Sequence, residues 1–232
     1  MSNPVKPKLK TEIIPLILIF ITIVSSVYFF TVLPEEVPVH WNLQGEVDRT
    51  GSKFFHVVFF PSLVLGMYLM FLFIPYLDPK KERYEQFKKI YHVLKNTLVA
   101  FMSLVFFLTS LNALGYNLPI EKYMPIFVGI LFVIIGNYLS KIKPNWFMGI
   151  RTPWTLSSEE NWRRTHQMGG KIFILSGIIF VSIPFLPIEW RGWLMSASIA
   201  LAVIGTIGYS LYAYLTIDKK NEKNQQSEQS KN

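Results

Sequence analysis

Residues able to do chemistry concentrate in two stretches of the 232-residue chain, Pro34 to Lys53 and Lys141 to Lys171. In the second, His166 has Thr165 beside it and Ser157, Ser158, Glu159 and Glu160 within ten residues. Those are the ingredients of a nucleophile, base and acid triad. Yet no nucleophile sits on a recognisable strand-to-helix elbow, and no carboxylate is spaced to orient the imidazole. An enzyme is therefore disfavoured. In the first stretch, His40 follows Glu35 and Glu36, which are metal-ligand types. Their spacing matches no zinc pattern such as two histidines four apart on a helix, so neither metal nor cofactor is expected.

The elements that must carry these stretches follow from the charges. Only 16% of residues are charged, against about 25% in an ordinary soluble domain, while 51% are hydrophobic. Six stretches hold no Asp, Glu, Lys or Arg: 13–34, 54–77, 96–120, 123–140, 172–188 and 192–217. Each is near or above the roughly 20 residues that cross a bilayer as a helix. Pro184 and Pro187 in the fifth are tolerable where neighbours satisfy the freed carbonyls. The expectation is an all-α integral membrane protein of six transmembrane helices. The absence of Cys excludes a disulfide scaffold. Lys6, Lys8 and Lys10 before the first run resemble a signal peptide, but Ile13 to Leu33 is too long for its apolar core, and Val32 and Leu33 make no small-residue cleavage site.

Lys and Arg give the orientation, because short loops rich in them stay in the cytoplasm. With the N-terminus inside, nineteen of the 23 fall inside, and only Arg49, Lys53, Lys122 and Arg191 fall outside. Both termini are expected in the cytoplasm, in a multi-pass protein of the cell membrane. The net charge of +8 is then explained by topology and anionic lipid, and no direct nucleic-acid binding is expected. No tryptophan lies in the middle of a run. The segment after Asp218 is wholly polar and is read as a disordered cytoplasmic tail.

The outer stretch alternates Val37, Val39 and Trp41 with polar neighbours, then supplies turn residues from Asn42 to Gly45. A small extracytoplasmic hairpin-like loop is expected, with His40 and Trp41 either an interfacial anchor or a recognition surface. In the inner loop Pro153 forces Thr152 out of helical geometry. Ser157 and Glu160 then stand as a capping box, predicting a short interfacial helix from Ser158 to about Gly169 and Gly170. It would pair Glu159 with Arg163 and align Trp162, Thr165 and His166. Read as an anchor, it places Trp154 and Trp162 among headgroups and Arg151, Arg163 and Arg164 on lipid phosphates; read otherwise, it is a docking surface. Inside the runs there is no acid or base, which argues against an ion-coupled carrier. Asn112 and Asn137 remain for hydrogen bonds between helices, Gly129 and Gly136 for close packing, and His56 lies near a helix end.

The inner stretch PNWFMGIRTPWTLSSEENWRRTHQMGGK resembles the signature of the SdpI family of bacterial immunity proteins. The outer stretch PEEVPVHWNLQGEVD, followed by FFPSL, is similar to the N-terminal domain of unknown function that often precedes that signature. The similarities cover about residues 14 to 75 and 125 to 185. They imply a tail over 1–12, an N-terminal domain over 13–95 with its outer loop at 34–53, an SdpI-like helical domain over 96–217 with its signature loop at 141–171, and a tail over 218–232. The implied function is membrane immunity against a secreted toxin of the sporulation-delay type, together with signalling that holds a cytoplasmic repressor at the membrane. An exporter and a membrane-embedded enzyme are the alternatives. Matching positions for partner docking inside are Pro144, Asn145, Gly149, Arg151, Thr152, Pro153, Trp154, Thr155, Trp162, Thr165, His166, Gly169 and Gly170. For toxin contact outside they are Pro34, Pro38, His40, Trp41 and Gly45.

Overall fold

A computed structural model describes residues 5–229. Its helices are α1 (Leu9–Val32), α2 (Lys53–Leu77), α3 (Lys88–Ala113), α4 (Ile120–Leu139), α5 (Pro153–Ser157), α6 (Glu159–Ser182), α7 (Ile188–Ala200) and α8 (Thr206–Gln229). A 3-10 segment at Lys81–Phe87 leads into α3, and one π turn at Leu201–Gly205 joins α7 to α8 as a single rod. Six of the resulting helical stretches are long and apolar enough to cross a membrane. This is a multi-pass membrane protein. Large apolar residues such as Phe20, Val27, Phe73 and Ile204 cover its flanks, as a chain solvated by lipid requires.

Alternate crossings give the bundle a hairpin side and a termini side. On the hairpin side β1 (Glu36–Trp41) pairs antiparallel with β2 (Val47–Ser52), with register irregularities on either side of His40. Val37 plugs this hairpin into a cluster of Phe29, Leu33, Val57 and Phe106. On the termini side Phe71, Tyr84, Phe87, Tyr91, Leu139, Ile142 and Trp162 form the largest core cluster. Helices α1, α2 and α3 pack around Ile19, Val64, Tyr68 and Val99 between those ends.

Helices α4 and α6 meet backbone to backbone. A methyl group on Gly129 would sit 2.6 Å from the Gly177 carbonyl oxygen, and one on Gly136 would sit 2.7 Å from that of Gly170. In lipid, where apolar burial drives no helix association, such small residues allow the contacts that do. This corrects one expectation. Gly169 and Gly170 do not end a short interfacial helix; α6 runs through them from Glu159 to Ser182. Glycine stops a helix where water or a left-handed turn takes over the carbonyls, whereas here it lets two helices touch.

Three further expectations change. The cap of α6 is Ser158, whose Oγ accepts from the Asn161 N–H at 3.2 Å, while the reciprocal box is made upstream by Thr152 and Thr155 around α5. Asn112 and Asn137 do not join helices: Asn112 reaches the Leu118 carbonyl in its own turn at 3.3 Å, and Asn137 is exposed. Finally, α8 continues as helix to Gln229, past the Asp218 boundary after which the sequence reads as a disordered tail. Lys, Glu and Gln are good helix formers, and the tail is propagated from a helix already nucleated. Residues 230–232 of that tail lie outside the described residues.

Candidate functional site

The signature loop is built around Asn145, which is 0% exposed. Its Oδ1 accepts from the N–H groups of Phe147 (2.8 Å) and Met148 (2.6 Å), and its Nδ2 donates to the carbonyls of Lys143 (2.9 Å) and Met148 (3.0 Å). One buried amide thus satisfies backbone that would otherwise be stranded away from water. Asp78, at the end of α2, anchors the same loop from outside. It accepts from the Trp146 N–H at 2.9 Å and the Tyr84 hydroxyl at 2.8 Å.

His166 completes the loop in a different way. Nε2 accepts the Ile150 N–H at 3.1 Å, which leaves Nδ1 to donate to the Trp162 carbonyl at 2.8 Å. Backbone on both sides fixes a neutral tautomer. The ring stacks on Trp162 with centroids 4.0 Å apart, and the Trp162 indole donates to the Ile142 carbonyl at 2.9 Å. Gly149 passes directly over this stack at φ +104°, where a Cβ would lie 2.3 Å from His166 Nε2. No other residue type fits that turn.

Two more bonds stitch the loop to α8. The Asn161 amide donates to the Ser210 carbonyl at 2.9 Å, and the Thr152 hydroxyl meets that of Ser210 at 3.0 Å. Thr165 returns to Asn161 at 2.9 Å.

These contacts sort the inner positions drawn from the resemblance. Pro144, Asn145, Thr152, Thr155, Trp162, Thr165, His166, Gly169 and Gly170 are buried in the framework. Gly149, Arg151 and Pro153 are exposed, and Trp154 is half-buried. Trp162, at 2% exposure, does not lie among headgroups as the anchor reading had it. Its flat apolar ring is the platform for His166. Nor is the arginine pattern the expected one: Arg163 and Arg164 both grip Glu160, while Glu159 pairs with Arg83 across the loop. The accessible rim consists of Trp146, Phe147, Arg151 and Pro153, with the Arg151 guanidinium donating to the Trp146 carbonyl at 2.6 Å.

On the hairpin side the side chains are much more open. His40 Nδ1 lies 2.6 Å from Asp48, with both exposed, while Glu35 pairs with Lys53 at 2.9 Å and Glu36 accepts from Thr50 at 2.8 Å. The two glutamates beside His40 in sequence therefore point elsewhere. Among the described residues no three His, Asp or Glu side chains stand together as a metal site. Pro34 is exposed, Pro38, Trp41 and Gly45 are half-buried, and Gly45 turns at φ +86°. Beneath β1 lies a cavity of about 320 Å³, lined in part by His40, Trp41, Leu43 and Thr109.

Sequence reasoning missed a third cluster. Lys95, 1% exposed, pairs with the buried carboxylate of Glu12, which also accepts from Tyr68 and Thr11 at 3.0 Å. His92 Nδ1 stands 3.6 Å from the same carboxylate. Each charge borders a charge-free run by one residue, so counting runs passed over both. The pair ties α1 to α3 near the termini side, and its extra hydrogen bonds are what a buried ion pair needs to survive desolvation. His56, also buried, bonds Ser110 at 2.9 Å and stacks on Phe106.

The resemblance seen in the two loops holds across the chain. Residues 141–210 match the SdpI/YfhL protein family, and residues 17–65 match a domain of unknown function (DUF1648). The chain is 26% identical over 196 residues to a Bacillus subtilis protein named Immunity protein SdpI, covering 84% of this chain and 92% of that one. No solved structure matches.

Proposed function

We propose that this membrane protein confers immunity, protecting its cell against a secreted antimicrobial toxin of the sporulation-delay type. The observation that carries the reading is the extent of its similarity to an immunity protein, which runs through both loops and the helices between them. The lysine and arginine distribution supports a cytoplasmic-membrane protein with both termini inside and the hairpin outside. Toxin then meets the face carrying Pro34, Pro38, His40, Trp41 and Gly45. A second half of the proposal concerns signalling. A cytoplasmic repressor docks on the exposed rim of Trp146, Phe147, Arg151 and Pro153, and toxin alters that rim by favouring one packing of the helices over another.

Expression in a cell sensitive to sporulation-delay toxin tests the first half. Survival is expected to rise with expression, and unchanged killing at confirmed membrane levels would remove immunity as the function. For the second half, Arg151→Ala with Trp146→Ala should abolish recruitment of a tagged repressor to the membrane while leaving protection intact. Recruitment that survives both substitutions excludes the rim as the docking surface.

A further inference from the structure

The cavity under the hairpin opens between β1 and helices α2, α3, α4 and α7, with Leu43, Phe60, Met124 and Met195 supplying much of its apolar wall. Two opposite charges, Glu121 and Arg191, also line it, and they are treated very differently. Arg191 is already engaged: Nε donates to the Leu186 carbonyl at 3.0 Å and Nη2 to that of Pro184 at 3.2 Å. Its charge holds the turn between α6 and α7. Glu121 has no hydrogen bond or ion pair among the described residues, although its carboxylate lies against Gly45 of the hairpin. It sits in the first turn of α4, where exposed backbone N–H groups favour an anion.

We propose that this cavity is a binding site for an apolar peptide segment carrying one positive charge, with the cation seated against Glu121. Resting on the immunity reading, the peptide is a segment of the secreted toxin. A mostly apolar pocket with a few fixed polar groups is the usual form of a ligand site, the apolar wall supplying affinity and the polar groups orientation. At roughly 30 Å³ per heavy atom, the share of a water molecule, the volume takes about ten atoms, or about two leucine-sized side chains. The charge selects among amphiphiles. A lipid phosphate would be placed beside an unneutralised carboxylate, while the one cation available to attract it is committed to backbone carbonyls. A lysine, an arginine or a free amino terminus gains an ion pair at a partly desolvated rim.

The test uses the full chain in nanodiscs of phosphatidylethanolamine and phosphatidylglycerol. Two synthetic eight-residue peptides of leucine and phenylalanine carry a benzophenone and differ only in bearing one lysine or one glutamate. Photolabelling followed by peptide mapping should place the lysine peptide on the segments holding Met124 and Met195, at a concentration at least about tenfold below that of the glutamate peptide. Glu121→Gln should erase the preference, and Met124→Trp with Met195→Trp should suppress labelling by both peptides. Equal labelling of wild type by the two peptides, or labelling confined to lipid or to the outer face of α1, overturns the proposal. Should the doubly filled variant fail to fold, the isosteric Glu121→Gln decides alone. The toxin challenge separates this from the reading it rests on. Labelling as described in a chain that gives no protection sinks immunity and leaves the site, whereas protection without labelling sinks the site and leaves immunity.

Discussion

The two loops are made from the same parts and behave oppositely. In the hairpin, Asn42 Oδ1 accepts from the N–H groups of Gln44 (3.0 Å) and Glu46 (2.9 Å), and a glycine at φ +86° follows three residues later. In the signature loop, Asn145 gathers two N–H groups in the same manner, and a glycine at φ +104° follows four residues later. Asparagine suits both because its side chain imitates a turn of backbone. The difference is what surrounds the turn. The hairpin turn satisfies its own backbone and touches α4 and α7 through Gly45 and Leu43, whereas the signature turn is roofed by Tyr84, Asp78, Trp162 and His166, all supplied from other elements. Local chemistry makes a turn in each case, and only the buried one becomes part of the core.

Substitution of the two glycines gives the largest contrast. Gly149→Val places a β-branched residue at positive φ and drives its Cβ into His166 Nε2, where the stack on Trp162 leaves no room to retreat. The expected loss is about 4 kcal/mol or more, read as failure to recover monodisperse protein after detergent extraction. In the hairpin, the nearest atoms to a Cβ on Gly45 belong to the outer end of the flexible Glu121 side chain. Gly45→Ala should therefore cost about 1 kcal/mol, mostly backbone strain, and yield folded protein with a lower unfolding temperature. Equal effects at the two sites would mean that burial is not what separates the loops.

Asn145→Ala comes next in size. It strands two N–H groups and two carbonyl groups beside buried Tyr84, for an expected loss of about 3 kcal/mol in thermal unfolding of the purified protein. A loss below about 1 kcal/mol would show that water reaches the turn.

This contrast also marks what the sequence alone could reveal. Runs without charge disclose the six crossings, because bilayer thickness acts on each helix separately. The turn at Asn42 to Gly45 is equally legible, being local. What stayed hidden is whatever is closed by residues far apart in the chain. Nothing near Trp146 announces that Asp78 takes its N–H, and nothing near Glu12 announces Lys95, 83 residues away. The same blindness put Trp162 among headgroups and ended α6 at Gly169 and Gly170. An interfacial tryptophan and a core tryptophan look alike in sequence, as do a glycine that stops a helix and one that admits a neighbour. The roles proposed for both loops come only from their resemblance to a family.

The smallest expected effect is the most informative about the hairpin. Asn42→Ala removes the same kind of hydrogen bonds as Asn145→Ala, together with the amide bond to the Glu46 carboxylate at 3.0 Å. Here water replaces each lost partner, and the strand bonds of β1 with β2 remain, as does the turn bond from the Asn42 N–H to the Glu46 carbonyl at 2.9 Å. The cost in unfolding should stay near 1 kcal/mol. Yet Leu43 lines the cavity and Gly45 lies against Glu121 through this turn, so loosening it relaxes Leu43 over Gly192 and Gly45 over Glu121. Toxin protection in cells should thus fall several-fold for a variant whose stability barely moves, since a binding surface loses affinity when it must be ordered on contact. Protection equal to wild type would break the link between turn geometry and cavity, and place toxin contact elsewhere on the hairpin.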